Sequence, residues 1–254
     1  MSIRKIHENK IGKVSDKWDS YLDFYDNLFQ PYKNNPISML EIGVQNGGSL
    51  ETYADYFEGA EHIIGCDINQ NCAKLTYQDK RIKVIIGDAN AEETKKSILG
   101  IKNQFDFIID DGSHISSDIL NSFLYYFSIL KPGGIYIIED THTLYDRSYG
   151  GGVLNGFSAT EFFKKLIDVV NFEWWSSDIS LENYLSTFFK RGLPPFIRDG
   201  WVQSLEFHNS IIVIRKAIQP THKKLGVRRI CGTEYAVFDN SYAKDSSAYK
   251  KKIT

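Results

Sequence analysis

The sequence lacks the features that mark secreted, disulfide-rich and membrane-spanning proteins. Its three cysteines, Cys66, Cys72 and Cys231, form no Cys-x-x-Cys pair and have no metal-binding spacing to histidine. Nowhere do eighteen apolar residues run together, and the opening MSIRKIHENKIGK contains no apolar core followed by small residues. We therefore expect a reduced, cytoplasmic protein that does not span a membrane.

The chain also has little net charge. Its 30 basic and 32 acidic residues give a formal net charge of −2, which leaves no broad positive field for nucleic acid. The basic runs near 223–229 and 250–252 are expected to be solvated surface. A small-molecule partner is therefore favoured, and a chain of 254 residues that is 42% hydrophobic can bury the core of one main α/β domain.

Short apolar runs alternate with segments of helical periodicity, which is typical of a parallel sheet covered on both faces. Strands are predicted at residues 38–42, 62–67, 82–86, 105–110 and 135–139. Helices are predicted near 50–57, 120–127, 158–170 and 181–190. Ser49 is the predicted N-cap of the first helix, and LysProGlyGly at 131–134 is the predicted turn into the fifth strand. Segments 202–207 and 210–215, joined by His208 and Asn209, predict a closing hairpin.

The sequence EIGVQNGG follows the first predicted strand, where open α/β sheets bind their ligands. Gly43 and Gly47 let the backbone approach a ligand closely. Asp67 ends the second strand about 20 residues later, the spacing at which an acid binds a ribose diol. Gln45 stands where a dinucleotide fingerprint has glycine, and Glu41 repels phosphates but suits the ammonium of a methionine moiety. An NAD-dependent oxidoreductase is therefore disfavoured, although it stays an alternative.

The sequence resembles the class I S-adenosylmethionine-dependent methyltransferases. These enzymes have the same features in the same order, namely the glycine loop, an acid at the end of strand two (Asp67) and an acid after strand three (Asp88). The resemblance covers roughly residues 38–216. It implies a Rossmann-like α/β fold with a seven-stranded, mostly parallel sheet and an antiparallel last strand. It also implies that Asp67 holds the ribose and Asp88 the adenine amine. The predicted cofactor-binding residues are Glu41, Gly43, Gln45, Gly47, Ser49, Asp67, Asp88 and Asp110.

Strands four and five end in adjacent acids, Asp110 and Asp111 on one and Glu139 and Asp140 on the other. If the two strands are neighbours, about 4.8 Å apart, three of these carboxylates converge beside the cofactor. Carboxylates so close repel one another unless their pKa values rise or a cation neutralises them. An all-oxygen set without cysteine favours a hard ion, most simply Mg²⁺.

The sequences DDGSH and EDTHTLYDRSYGG resemble the metal-dependent macrolide-sugar (mycinamicin-type) O-methyltransferases. The resemblance implies that Asp111, Glu139 and Asp140 bind Mg²⁺ and that His114, with Asp111, is catalytic, His114 being the general base. His142 also fits the family pattern, and a role in holding the loop stays open for it.

The segment from Ser15 to Trp18, with Tyr21 and Tyr25, resembles the stretch before the first strand in the same enzymes. Its aromatic rings are expected to pack in the domain, and a role in covering the cofactor is the alternative.

We thus expect methyl transfer to a hydroxyl of a small polar acceptor, such as a sugar-containing metabolite or a polysaccharide precursor. A phosphorus-borne oxygen or nitrogen is the alternative acceptor, and a domain without catalytic activity is a further alternative. The expected domains are a helical segment at 1–37, the methyltransferase domain at 38–216 and a tail or interaction arm at 217–254. The apolar patch at 235–238 suggests a homo-oligomer.

Overall fold

The sheet has seven strands, and its architecture is the predicted one. A computed structural model describes residues 1–227, 229, 231 and 232. The strands are β1 (Ser38–Ile42), β2 (His62–Asp67), β3 (Ile82–Ile86), β4 (Phe105–Asp110), β5 (Leu130–Ile138), β6 (Val202–His208) and β7 (Ile211–Lys216). Their order across the sheet is β3-β2-β1-β4-β5-β7-β6. The first five strands pair in parallel, whereas β7 runs antiparallel to both β5 and β6.

Helices connect the strands and cover both faces of the sheet. They are α1 (Ile3–Glu8), α2 (Asp19–Phe29), α3 (Gly48–Tyr56), α4 (Glu92–Ile101), α5 (Ser116–Tyr126), α6 (Ala159–Val170), α7 (Leu181–Tyr184) and α8 (Pro195–Arg198). Ser158 caps α6, since its side chain accepts a hydrogen bond from the Glu161 amide at 3.2 Å. Among the described residues, no helix combines the length and apolarity that crossing a bilayer requires.

The sheet separates two apolar cores because successive strand residues point to opposite faces. In β1, Leu40 packs with the core that contains α5 and α6, whereas Met39 packs with the core that contains α1, α2 and α3. Both side chains are fully buried. The central strands therefore read as continuous apolar runs, and for this reason β1 to β4 were predicted with the bounds that they have.

Four local predictions were wrong. Gly47, with φ of +77°, is the residue that precedes α3, and Ser49 lies inside its first turn. Residues 131–134 belong to β5, which starts at Leu130 and pairs there with Phe105 across a register shift. The hairpin turn is one residue later than predicted, between β6 and β7, and α7 ends at Tyr184.

The segments on either side of the predicted domain differ in what the structure describes of them. Residues 1–37 form α1 and α2, which bury Tyr21, Tyr25 and Phe29 in one of the two cores. After β7 the chain continues along the β6 end of the fold, where the Thr221 amide donates to the Gly200 carbonyl. The patch at 235–238 lies outside the described residues, so the homo-oligomer that it suggested stays a prediction.

Candidate active site

A cavity of about 800 Å³ lies at the carboxyl ends of β1, β2, β4 and β5. The backbone ladder continues past the strands there: the Asp111 amide donates to the Ile42 carbonyl at 2.8 Å, and the Glu139 amide to the Asp110 carbonyl at 2.9 Å. These bonds hold the two acidic strand ends side by side, as predicted for neighbouring parallel strands.

The loop between β1 and α3 forms one wall of the cavity. Gly43 has φ of +90°, and a Cβ there would lie 2.0 Å from the Asp111 carbonyl oxygen. The loop therefore needs glycine at this position to pass close to β4. One oxygen of Asp67 accepts hydrogen bonds from the amides of Val44 and Gln45, each at 2.8 Å, and its other oxygen accepts from the Asn69 amide. Asp67 thus braces the loop in addition to facing the cavity.

Six of the eight predicted cofactor residues line the cavity, namely Gly43, Gln45, Ser49, Asp67, Asp88 and Asp110. Glu41 and Gly47 do not. Gly47 also has a packing role, because a Cβ there would lie 2.0 Å from the Tyr77 hydroxyl oxygen. The cofactor contacts of all eight residues stay predictions.

Two carboxyl groups near this loop, one in β1 and one in β4, are buried. Glu41 accepts a hydrogen bond from the Ser49 hydroxyl at 2.5 Å, and its Oε1 atom has no partner among the described residues. Burial raises the pKa of Glu41 to about 8. Asp110 accepts a hydrogen bond from the Tyr136 hydroxyl at 3.1 Å, and burial raises its pKa to about 7. Both groups therefore favour the neutral, protonated form more than an exposed acid does.

The opposite wall contains the acidic cluster, which consists of Asp111, Glu139 and Asp140. A lysine from outside the sheet contacts two of these carboxylates. Lys17 Nζ lies 2.5 Å from an oxygen of Asp111 and 2.8 Å from both oxygens of Glu139. Its side chain is only 8% exposed. Burial acts to lower the pKa of Lys17, but the carboxylates of Asp111 and Glu139 outweigh it and raise that pKa well above its ordinary value. The ammonium therefore stays charged.

Both carboxylate oxygens of Glu139 accept hydrogen bonds. Besides Lys17, it accepts a hydrogen bond from the buried Tyr25 hydroxyl at 2.6 Å. Burial and the neighbouring Asp111 raise the pKa of Glu139 above its usual range, against the pull of Lys17. Of the acids in the cluster, Glu139 is thus the one with the fewest free lone pairs.

Asp140 takes its donors from the same N-terminal segment. Its Oδ1 atom accepts hydrogen bonds from Trp18 Nε1 at 3.0 Å and from the Tyr21 hydroxyl at 2.8 Å. The rings of Tyr21 and Tyr25 are buried, as predicted, but Trp18 is 60% exposed, so the packing prediction was wrong for that residue.

His114 lies between the two acidic strand ends. Its Nε2 atom is 4.0 Å from Oδ1 of Asp111 and 3.9 Å from Oδ2 of Asp140. One ligand atom from each of these three residues lies within 4.8 Å of the others, close enough to share one metal ion. Glu139 is not in this group. His142 Nδ1 lies 2.6 Å from the Ser210 hydroxyl oxygen, which fits the loop-holding role.

Backbone strain is concentrated around this cavity. Five non-glycine residues of the described chain have positive φ, and three of them line the cavity: Gln45 (+51°), His114 (+57°) and Asp140 (+52°). Such conformations are costly for residues other than glycine and accumulate at functional sites. The strain therefore supports a functional role for both walls.

Lys17 was not predicted from the sequence, where the segment that contains it stands out only for its aromatic residues. A signal was present, because a cluster of three carboxylates requires a positive charge and a buried lysine can supply it as well as a metal can. That signal does not identify which lysine supplies the charge, because Lys17 lies 94 and 122 residues away from its two partners.

Comparisons with known proteins find similar methyltransferases. Residues 40–141 match a family described as "Methyltransferase domain". The chain is 36% identical over 165 residues to mycinamicin VI 2''-O-methyltransferase of Micromonospora griseorubida, an alignment that covers 61% of this chain and 40% of the relative. It is 28% identical over 218 residues to 8-demethyl-8-alpha-L-rhamnosyl tetracenomycin-C 2'-O-methyltransferase of Streptomyces olivaceus, covering 82% and 53%.

Solved structures give the same picture. The MycE methyltransferase from the mycinamycin biosynthetic pathway, in complex with Mg, SAH and mycinamycin VI, matches with a TM-score of 0.66 and 26% identity over 85% of this chain and 52% of that chain. A second crystal form, with Mg and SAH, matches with a TM-score of 0.64 and 29% identity over 77% and 48%. The chain spans about half the length of the curated relatives that it matches.

Proposed function

We propose that the chain is a class I S-adenosylmethionine-dependent methyltransferase and that it transfers a methyl group from that cofactor to a hydroxyl of a small, sugar-containing acceptor. The observation that carries this proposal is that one cavity joins the glycine loop to an acidic cluster with free oxygen atoms. The first supports a nucleoside cofactor and the second supports an ion that activates an alcohol.

S-adenosylmethionine, when bound, supplies a methyl group on a positively charged sulfur. The residues that would hold it are those of the wall formed by β1, β2 and β3. We propose that Asp67 accepts from the ribose diol and that Asp88, whose Oδ1 atom accepts from the Asn90 amide, binds the adenine edge. Glu41 lies behind the loop, so its proposed part is to support Ser49 rather than to contact the cofactor.

The acidic wall fits a hard divalent ion. The ammonium of Lys17 already stands between Asp111 and Glu139 as a cation, and free oxygens of Asp111 and Asp140 face His114. We propose Asp111, Glu139 and Asp140 as the residues that would hold Mg²⁺. An ion held there would supply Lewis-acid chemistry that makes a nearby sugar hydroxyl more acidic.

His114 is the proposed general base. It lies on the cavity wall between Asp111 and Asp140, and its Nε2 atom is 4.0 Å and 3.9 Å from their carboxylate oxygens. As the acceptor oxygen bonds to the methyl carbon and the carbon–sulfur bond breaks, His114 takes the hydroxyl proton. The products are the methyl ether and S-adenosylhomocysteine.

The relatives favour a sugar hydroxyl over a phosphorus-borne oxygen or nitrogen. They are named for 2'-O- and 3'-O-methylation of rhamnosyl tetracenomycin-C compounds and for 2''-O-methylation of mycinamicin VI. Because the chain spans about half of their length, its own acceptor is a proposal of class only.

A transfer assay tests this function. The chain is incubated with methyl-labelled S-adenosylmethionine, Mg²⁺ and a pool of glycosylated macrolides and sugar nucleotides. We expect label in an ether that survives mild alkali and no label when a chelator is in excess. Calorimetry with NAD serves as the control, and binding of NAD without binding of S-adenosylmethionine would revive the oxidoreductase alternative.

A further inference from the structure

Lys17 lies where a divalent ion shared by Asp111 and Glu139 would have to lie. Its Nζ atom contacts both carboxylates at 2.5–2.8 Å. Mg²⁺ binds its oxygen ligands at about 2.0–2.1 Å. An ammonium and a divalent ion therefore cannot both occupy the gap between these two side chains.

The hydrogen bonds of Glu139 also indicate that Lys17 and a divalent ion exclude each other. Both of its oxygens are bonded to Lys17, and one of them also accepts from Tyr25. The oxygens left over in the cluster, on Asp111 and Asp140, face His114 instead. Glu139 can thus bind an ion only after Lys17 has moved away from it.

We propose that Lys17 is a tethered cation that holds the metal-free site together and is displaced from Glu139 when the divalent ion binds. This rests on the metal site of the proposed function. In the metal-free protein the ammonium offsets the repulsion among the carboxylates, so the strand ends stay in position. Metal binding then replaces one cation by another and starts from an ordered site.

The surroundings of Lys17 permit this movement. It belongs to the stretch between α1 and α2, which is not a regular helix or strand, and it borders the open cavity. Its neighbour Trp18 is anchored separately to Asp140. The flexible four-carbon side chain of a lysine can therefore turn toward the cavity while the backbone stays in place.

Chemical labelling of the wild-type protein tests the displacement directly. Lysine amines are acetylated with acetic anhydride, with and without Mg²⁺, and quantified by mass spectrometry. We expect acetylation of Lys17 to rise at least about fivefold when Mg²⁺ is added. Lys13, paired with Glu51 at 2.9 Å and 24% exposed, is the internal control and should not change. Protection of Lys17 that persists while Mn²⁺ binding is visible by electron paramagnetic resonance would overturn the proposal.

A variant tests the competition. Lys17→Met should bind Mn²⁺ at least about tenfold more tightly than the wild type, and its melting temperature should be lower in chelator and recover when metal is added. Lys13→Met is the matched control and should bind Mn²⁺ like the wild type. Equal or weaker binding by Lys17→Met would contradict the proposal.

Two further outcomes have defined meanings. If Lys17→Met does not fold in chelator, Lys17→Gln and the wild-type labelling give the same test. If neither wild type nor variant binds Mn²⁺ at millimolar concentration, the metal site of the proposed function fails, and the proposal for Lys17 fails with it. Mn²⁺ binding without displacement leaves the proposed function standing and removes only the inference about Lys17.

Discussion

The two walls of the cavity are built in different ways. In the wall formed by the glycine loop, Asp67 is satisfied by backbone amides within 23 residues of it. In the acidic wall, Glu139 and Asp140 are satisfied by side chains of residues 17–25, more than 110 residues away. The first wall is a local structure of the sheet, whereas the second depends on a separate segment docking against it.

The N-terminal segment is what joins these two walls. The Gly48 amide donates to the Val14 carbonyl at 3.1 Å, at the start of α3, and three residues later Lys17 enters the acidic cluster. Because the donors to the two walls come from different parts of the chain, disturbing the local wall should change cofactor binding alone, and disturbing the acidic wall should change the chemistry alone.

The largest effect is expected for His114→Gln. Loss of a general base lowers turnover by about 10² to 10⁴-fold, so we expect kcat for methyl transfer to fall by that amount while the affinity for S-adenosylmethionine is unchanged. His142→Gln is the matched control, because that ring bonds to Ser210 and should alter kcat by less than about tenfold. Equal losses in both variants would show that His114 has no special role.

A smaller effect, on cofactor affinity and not on turnover, is expected for Asp67→Asn. The amide can accept from the loop through one oxygen only and has lost the charge that strengthens those bonds. We expect the dissociation constant of S-adenosylmethionine to rise by roughly tenfold or more in calorimetry, with Mn²⁺ affinity unchanged. A change in Mn²⁺ affinity as large as the change in cofactor affinity would mean that the walls are not separate.

The smallest effect concerns stability. The pKa of Glu41 is raised to about 8 in the folded protein, above its ordinary value near 4.5, so ionisation disfavours the folded state. Stability should be full below pH 4.5 with respect to this group and should fall as pH rises toward 8. Glu41→Gln should remove this fall and raise the free energy of unfolding at pH 8 by on the order of 1–3 kcal/mol.

Denaturant unfolding in chelator at pH 5 and pH 8 measures the effect. Ser49→Ala, which removes the hydrogen-bond donor to Glu41 but leaves its carboxyl group, is the control and should keep the pH dependence. A Glu41→Gln variant with the same pH dependence as the wild type would contradict the assignment.

What could be predicted from the sequence follows the same division. Strands β1 to β4 and the loop after β1 could be predicted because buried parallel strands are apolar runs, and each of these strands ends in an acid or is followed by glycine. The start of β5 was not, because residues 131–134 have turn-forming side chains and join the strand only through pairing with Phe105. Tertiary pairing there overrides local preference.

The hydrogen-bond donors to the acidic wall could not be predicted from the sequence, for a similar reason. The cluster itself followed from the neighbouring strands, and it was predicted to need a cation. The residues that donate hydrogen bonds to these carboxylates are determined by how α2 packs against the sheet. Sequence periodicity indicates only which face of α2 is buried. The buried rings of Tyr21 and Tyr25 could therefore be predicted, whereas their hydroxyl contacts with Asp140 and Glu139 could not.

One crystallographic measurement tests the central claim most directly. Crystals are grown with S-adenosylhomocysteine and Mn²⁺, which replaces Mg²⁺ at oxygen sites, and the anomalous difference map is calculated. We expect the nucleoside against Asp67 and Asp88 and a single strong peak bonded to oxygens of Asp111, Glu139 and Asp140. Lys17 is expected to have turned away from Glu139. A nucleoside bound at this loop with no peak at the acidic wall would contradict the account.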